Sequence, residues 1–309
     1  MPTRLLTRLK GATVENELLY LFLHSRVALI AALISVVMIG AAAAAAFIAP
    51  SDPYDLASYD LLDSMLPPSF SDGGDTRFIL GTDDQGRDLL SAILYGTRLS
   101  LTIGLLSITF ASVLGVTLGL IAGYLGGRLD ALVMRIADVQ LSLPAILTAL
   151  LIDGIARGIL PQQRHDDLML VVLTVAIGLS LWVNFARTAR ASTFVEKNKE
   201  YVQATQIMGM HPIRIMFVQI LPNILGPIMV ILTVDLAVAI LLEATLSFLG
   251  VGVPPNQPSL GTLIRIGTEY MFSGEWWIVV FPSLTLIVLI VSVNVLGDFL
   301  RDAFNPKLR

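Results

Sequence analysis

The chain has 309 residues, of which 55% are hydrophobic and only 14% are charged, and its mean hydropathy is +0.78. Ordinary soluble domains carry about 25% charged residues, so these values exclude a typical soluble enzyme and indicate a protein that crosses the membrane several times. The absence of cysteine excludes disulfides, thiolate metal sites and cysteine nucleophiles. The net charge is −4 and no long basic stripe is present, which argues against a nucleic-acid partner.

Six apolar stretches are candidates for membrane-spanning helices, since a helix needs about 20 apolar residues to cross the bilayer core. They are residues 27–49, 99–127, 139–152, 168–186, 215–242 and 276–297. The third is the weakest, because it is short and contains Pro144. The first is too long for a signal peptide and is preceded by 26 residues, which favours a helix that is retained.

The distribution of basic residues predicts the orientation, because cytoplasmic loops are enriched in Lys and Arg. With both termini in the cytoplasm, 14 of the 20 basic residues lie inside and six lie outside. Without the third span, the basic stretch around residues 187–214 would fall outside, so the rule favours a third crossing. The chain then divides into a cytoplasmic segment 1–26, a first helix 27–49, an external acidic insert 50–98, a transmembrane domain 99–300 with a cytoplasmic loop at 187–215, and a cytoplasmic tail 301–309.

The insert at 50–98 carries nine of the 24 acidic residues, and its prolines and glycines interrupt any long helix. It is either a solvated loop or a small subdomain that receives another protein. From Gly81 to Asp88 it copies the glycine spacing of a phosphate-binding loop, but Arg87 and Asp88 stand where such a loop needs Lys and Ser or Thr. We therefore expect turns that lead into a helix rather than a nucleotide site.

No catalytic or metal site is predicted. His24, His165 and His211 fall in different segments, and no nucleophile motif or facing pair of carboxylates stands out. Two acids interrupt the fifth span, where charge is costly. Asp235 is expected to line the translocation path or to make a polar contact between helices, and Glu243 to snorkel or to cap a helix near the outer membrane surface.

The cytoplasmic loop has the pattern of two short helices joined by a turn. Glycine can adopt a positive φ angle, so Gly209 is suited to end the first helix, and Pro212 is suited to begin the second. The first helix mixes apolar and polar side chains: Glu200, Tyr201, Val202, Gln203, Ala204 and Thr205. From these residues alone, the loop is either a docking element or a connector that lies on lipid.

This loop resembles the EAA coupling loop of ABC-importer permeases. The resemblance rests on residues 200–205, on Gly209, and on Ile220-Leu221-Pro222-Asn223, in which Pro222 stands thirteen residues after Gly209. Gln203, Thr205 and Gln219 depart from the usual Glu, Ala and Ile of the motif. Other segments, in matching order, resemble the second permease subunit of dipeptide, oligopeptide and nickel importers: residues 80–88, 95–100, 122–127, 246–252, 297–302 and 305–309.

The resemblance implies an all-α membrane protein with six transmembrane helices, the fold of a type I ABC-importer transmembrane domain with an external subdomain after the first helix. It implies a permease that forms half of a path for short peptides and has no cofactor of its own. Nickel or another small solute is the alternative substrate for the same type of importer. An ATP-independent secondary transporter is the alternative mechanism.

The implied partners are a second permease, two cytoplasmic ATPases that bind ATP and Mg²⁺, and an external solute-binding protein. The implied location is the inner membrane of a bacterium or archaeon, with both termini cytoplasmic. The residues that would couple the chain to an ATPase are Glu200, Tyr201, Val202, Gln203, Ala204, Thr205, Gly209, Leu221 and Pro222.

The predicted topology can be tested by labelling single cysteines, because the native chain has none. We expect Ser71→Cys, in the insert, to react with a membrane-impermeant maleimide in intact cells. Ser192→Cys, in the cytoplasmic loop, should react only after permeabilisation. The reverse pattern would place both termini outside.

Overall fold

The structure is a computed structural model that describes residues 22–55, 60–253, 257 and 259–303. For residues 162–167 and 303 it describes the backbone alone. The regular elements of this part are helices, and the extended pairing found in it is an isolated bridge between Thr82 and Asp88. The prediction of an all-α membrane protein is confirmed.

The longer helices are numbered here in chain order. They are α1 (Arg26–Ala43), α2 (Leu89–Leu125), α3 (Gly127–Leu141), α4 (Ala145–Ile159), α5 (Gln162–Glu196), α6 (Glu200–Ile207), α7 (Leu221–Phe248), α8 (Leu260–Tyr270) and α9 (Trp277–Ala303). Shorter pieces lie at Ala45–Ile48, Leu61–Asp63, Pro212–Arg214 and Met271–Ser273, and a π-helix at Ile215–Ile220 runs into α7. Within the described residues, five runs are long and apolar enough to cross a membrane: Arg26–Ala43, Leu89–Leu125, Leu168–Glu196, Pro212–Phe248 and Trp277–Asp302.

The predicted third span at 139–152 is not a single helix. The chain bends by 96° between α3 and α4, and Pro144 caps the start of α4. Proline lacks a backbone N–H and clashes with the preceding turn, so the break falls where this residue stands. Six spans result when the bent pair is counted as one.

Close contact between α2 and α5 organises the bundle. A Cβ atom added to Gly119 would lie 2.3 Å from the carbonyl oxygen of Ala186, and Cβ atoms added to Gly115 and Gly123 would lie 2.3 and 2.7 Å from carbonyl oxygens of α5. Glycines four residues apart share one helix face and let two backbones approach more closely than side chains permit. This glycine face therefore fixes the distance between the two helices.

The same contacts show that α2 and α5 run parallel. Gly115 meets Trp182, and Gly123, two turns further along α2, meets Arg190, two turns further along α5. The chain leaves the end of α2 and must return to the level of its start before α5 begins. The bent pair α3–α4 makes this return, which is the crossing that the charge rule required.

The acidic insert is held together by a buried ion pair. Arg87 Nε donates to Asp83 Oδ2 at 2.6 Å, and both side chains are wholly buried. Trp277 Nε1, at the start of α9, donates to the carbonyl oxygen of Thr82 at 3.2 Å. Asp88 caps α2 by accepting from the backbone N–H of Ser91 at 2.8 Å. The segment with phosphate-loop spacing is thus the turn that joins the insert to two membrane helices.

The insert lies at one end of the bundle, here called the insert end. The opposite end carries the segment between α5 and α7 and is called the loop end. The helix α2 begins at Leu89, so residues 89–98 of the predicted insert form the first turns of a spanning helix.

The prediction that Glu243 snorkels or caps at a membrane surface is wrong. Glu243 is wholly buried, and Ser247 Oγ donates to its Oε1 atom at 2.8 Å, while the hydroxyls of Ser100 and Ser259 lie beside it. After α7 the chain folds back as α8 over the end of that helix and covers the carboxylate. A buried carboxyl group needs hydrogen-bond partners, and Ser247 supplies one to the Oε1 atom.

The glycine face of α2 predicts a specific loss of stability. We expect Gly119→Ala to lower the melting temperature of the purified protein, because backbone atoms of α5 cannot move aside as a side chain would; overpacking of this kind costs about 1–3 kcal/mol. Gly154→Ala in α4 is the control, since nothing lies within 4 Å of its added Cβ atom. It should melt at an equal or higher temperature, and equal losses in the two variants would contradict the assignment.

Candidate functional site

The segment from 197 to 220, here called the α5–α7 loop, forms a helix, a tight turn and a second short helix. Val202 and Thr205 of α6 are buried against the bundle. Gly209 follows α6 with a φ angle of 75°, as its place in the sequence predicted. The backbone N–H of Met210 donates to the carbonyl oxygen of Thr205 at 3.1 Å and closes the turn. Only a glycine adopts this left-handed conformation without a steric penalty, so the turn direction depends on it.

A tyrosine ties α6 to the start of α7. Asn223 Nδ2 donates to Tyr201 Oη at 3.2 Å and to the carbonyl oxygen of Gln219 at 2.6 Å. Burial raises the pKa of Tyr201 above its ordinary value, so the phenol stays protonated at neutral pH. Leu221 is half-buried beside this contact and Pro222 is exposed. The structure therefore brings the two separated parts of the predicted coupling motif together.

The loop is also attached to the end of α2. Lys197 Nζ donates to the carbonyl oxygen of Gly123 at 3.0 Å, and Gln206 Nε2 donates to Tyr124 Oη at 3.4 Å. About two turns before the loop, the guanidinium of Arg190 pairs with Asp130 of α3. These polar contacts fix the loop relative to α2, α3 and α5.

The tip of the loop carries exposed apolar side chains. Ile207 is 87% exposed, Met208 is 72% exposed, and Ile213 of the next turn is also exposed. Single exposed apolar residues are ordinary, but a group of them on an anchored loop marks an interaction surface. We call Ile207, Met208 and Ile213 the apolar tip.

The predicted coupling residues differ in exposure, and Tyr201 and Leu221 are half-buried. Val202 and Thr205 face the bundle and support the loop, whereas Glu200, Gln203, Ala204, Gly209 and Pro222 are exposed. Motif matching did not single out the apolar tip or the anchors Lys197 and Tyr124. The amphipathic pattern of the first helix does, however, indicate Ile207 and Met208 as apolar positions. The contact with Tyr124 joins positions 82 residues apart and has no local signal.

A cavity of about 510 Å³ lies beside Asp235, between α5, α7 and α9. It is lined by Asn184, Arg187, Thr188, Val230, Ile231, Val234, Asp235 and Arg301. Asp235 is only 6% exposed, and Asn184 Nδ2 donates to its Oδ2 atom at 3.0 Å. The predicted polar contact between helices is thus present, and the carboxylate also faces a cavity, while its place in a translocation path stays a prediction.

Among the residues whose side chains are described, no three histidine or acidic side chains converge as a metal site requires. The His-Asp-Asp sequence at 165–167 lies outside that set. The candidate functional regions are thus the α5–α7 loop with its apolar tip and the charged cavity.

The sequence matches the family described as "Binding-protein-dependent transport system inner membrane component" over residues 115–309. The chain is 36% identical to the dipeptide transport system permease protein DppC of Haemophilus influenzae, covering 96% of each chain. It is 39% identical to the di/tripeptide transport system permease protein DppC of Pseudomonas aeruginosa, over 93% of this chain and 90% of the relative.

A solved structure supports the fold. The inward-facing methionine ABC transporter MetNI contains a chain that matches with a TM-score of 0.53 and 21% identity, over 70% of this chain and 97% of the other. At this identity the likeness concerns the fold alone. It places the helical bundle among ABC-importer transmembrane domains.

Proposed function

The chain belongs to the family of binding-protein-dependent transport system inner membrane components, and from that premise we propose that it forms half of the translocation path for short peptides. It is a multi-pass permease subunit of an ABC importer and is not itself catalytic. The relatives named above are dipeptide and di/tripeptide permeases, and they align with nearly the whole chain. This agreement along the whole length supports peptides over nickel as cargo.

The apolar tip is the observation that supports a docking role for the loop. Its three side chains would be buried against a cytoplasmic ATPase subunit, with Glu200, Gln203 and Ala204 at the edge of the contact. Interfaces of this kind bury apolar anchors in pockets and surround them with polar side chains. Two such ATPases, one on each permease, would bind ATP and Mg²⁺ and supply the energy for import.

The two ends of the bundle would then face different compartments. The loop end would lie in the cytoplasm of a bacterium or archaeon, in line with the orientation that the distribution of basic residues predicts for both termini. The insert end would receive an external solute-binding protein. A second permease would complete the path beside Asp235.

Gly209 provides the sharpest test of the docking role. We expect Gly209→Asp to reduce peptide uptake and recovery of the ATPase subunits by roughly tenfold, the loss that corresponds to about 1.4 kcal/mol of interface energy. Nothing of this chain lies within 4 Å of the added Cβ atom, so the carboxylate would meet the partner rather than the chain itself.

Gly250→Asp is the matched control, because Gly250 has a φ angle of 77° against 75° for Gly209 and equal free space, but lies at the insert end. The two variants experience similar backbone strain, so only a partner at the loop end distinguishes them. Equal recovery of ATPase subunits with both variants and the wild type would refute docking through this loop.

A further inference from the structure

The cavity beside Asp235 contains opposite charges. Asp235 supplies a carboxylate, and Arg187 and Arg301 supply guanidinium groups. Arg187 is already paired with Asp138, at 2.5 Å from Nη2 to Oδ1. None of the ion pairs found among the described residues includes Asp235 or Arg301.

The bond to Asp235 comes from a neutral group. The amide of Asn184 orients the carboxylate but does not neutralise it. A nearly buried carboxylate without a cationic partner is costly, so a cation that enters the cavity would be bound favourably. An ammonium group is a cation with three hydrogen-bond donors, so it can both neutralise the carboxylate and bond to it.

The directions of α7 and α9 show where Asp235 and Arg301 lie along the bundle axis relative to each other. Both helices meet α8 at the insert end, since a Cβ atom on Gly261 would contact Ala244 of α7 and a Cβ atom on Gly267 would contact Ile278 of α9. The chain approaches α8 along α7 and leaves it along α9. The two helices are therefore antiparallel.

The two helices meet again where a Cβ atom on Gly297 would lie 3.1 Å from Thr233 Oγ1. Asp235 stands two residues from Thr233 towards the insert end, and Arg301 stands four residues from Gly297 towards the loop end. With a rise of 1.5 Å per residue, the two charged positions are about 9 Å apart along the bundle axis. The Asp235 carboxylate lies farther from the loop end, and the Arg301 guanidinium lies nearer to it.

We propose that this cavity binds a zwitterionic di- or tripeptide lengthwise, with Asp235 holding its ammonium group and Arg301 holding its carboxylate. Two or three extended residues span about 7–11 Å, which fits the axial separation of the charges. The volume of about 510 Å³ lies within the usual range of small-molecule pockets. Val230, Ile231 and Val234 form an apolar wall that makes no directed bonds, so it accepts varied peptide side chains.

This assignment rests on the proposed peptide function. It predicts a crossed pattern of recognition, in which each of the two charged residues recognises one end of the peptide. The assembled complex of both permeases and the ATPases, without the solute-binding protein, is placed in lipid nanodiscs. Binding of radiolabelled Ala-Ala is measured in competition with N-acetyl-Ala-Ala and with Ala-Ala-amide. We expect the wild type to prefer free Ala-Ala by about tenfold or more over each blocked peptide, the effect of losing a charged hydrogen bond.

Each variant should remove one preference and keep the other. Asp235→Asn should abolish discrimination against N-acetyl-Ala-Ala, and Arg301→Gln should abolish discrimination against Ala-Ala-amide. Asp298→Asn on α9 and Arg26→Gln on α1 are the controls, because both residues are exposed and neither lines the cavity. The controls should retain both preferences.

Equal binding of the three peptides by the wild type, or no binding of Ala-Ala, would overturn the proposal. So would a variant that loses both preferences and also melts at a lower temperature, which is the result expected of a purely structural carboxylate. If Asp235→Asn does not assemble, the wild-type preferences and Arg301→Gln decide the matter.

Uptake of Ala-Ala by cells with the complete importer distinguishes failure of the cavity assignment from failure of the proposed peptide function. Uptake without the crossed pattern would reject the assignment of this cavity and leave the peptide importer intact. Lack of uptake of Ala-Ala and of longer peptides would reject the peptide function itself.

Discussion

The close approach of α2 and α5 is the contact on which the rest of the bundle depends. Carbonyl oxygens of α5 occupy the space that side chains at Gly115, Gly119 and Gly123 would fill. In lipid there is no hydrophobic force to drive helices together, so close packing and hydrogen bonds must hold them. Because these two helices are parallel, α3 and α4 must return the chain between them. The bend at Pro144 is therefore compatible with the topology that the basic residues predict.

Charged groups inside the protein show how the membrane restricts the sequence. Arg87 is paired with Asp83, Arg157 Nε donates to Asp153 Oδ2 at 2.6 Å, and Glu243 Oε1 accepts a hydrogen bond from Ser247. Each of these carboxylates has partners from its own chain. Asp235 also accepts a hydrogen bond, from the amide of Asn184, but it differs from these acids because it opens to a cavity. This difference, rather than its presence in an apolar helix, separates Asp235 from the structural acids.

The sequence predicted the features that depend on local pattern. Apolar runs indicated the spans, Gly209 indicated the turn after α6, and Pro144 identified the weak third span. It did not predict the burial of Glu243, because α8 covers that residue only after the chain reverses. It also did not decide whether the insert is a solvated loop or a small subdomain. The contact from Trp277 to Thr82 joins positions 195 residues apart and leaves no periodic signal.

The helix α5 links the two candidate regions mechanically. Asn184 and Arg187 stand at the cavity, while Arg190 and Lys197 hold α3, the end of α2 and the start of the α5–α7 loop. A force applied at the apolar tip is transmitted to a helix that cannot slide independently, since the glycine face of α2 is interlocked with it. Packed helices of this kind move as rigid bodies rather than deforming continuously. Because Tyr201 also ties the loop to Asn223 of α7, a partner docked at the loop end would act on both of the helices that carry Asn184, Arg187 and Asp235.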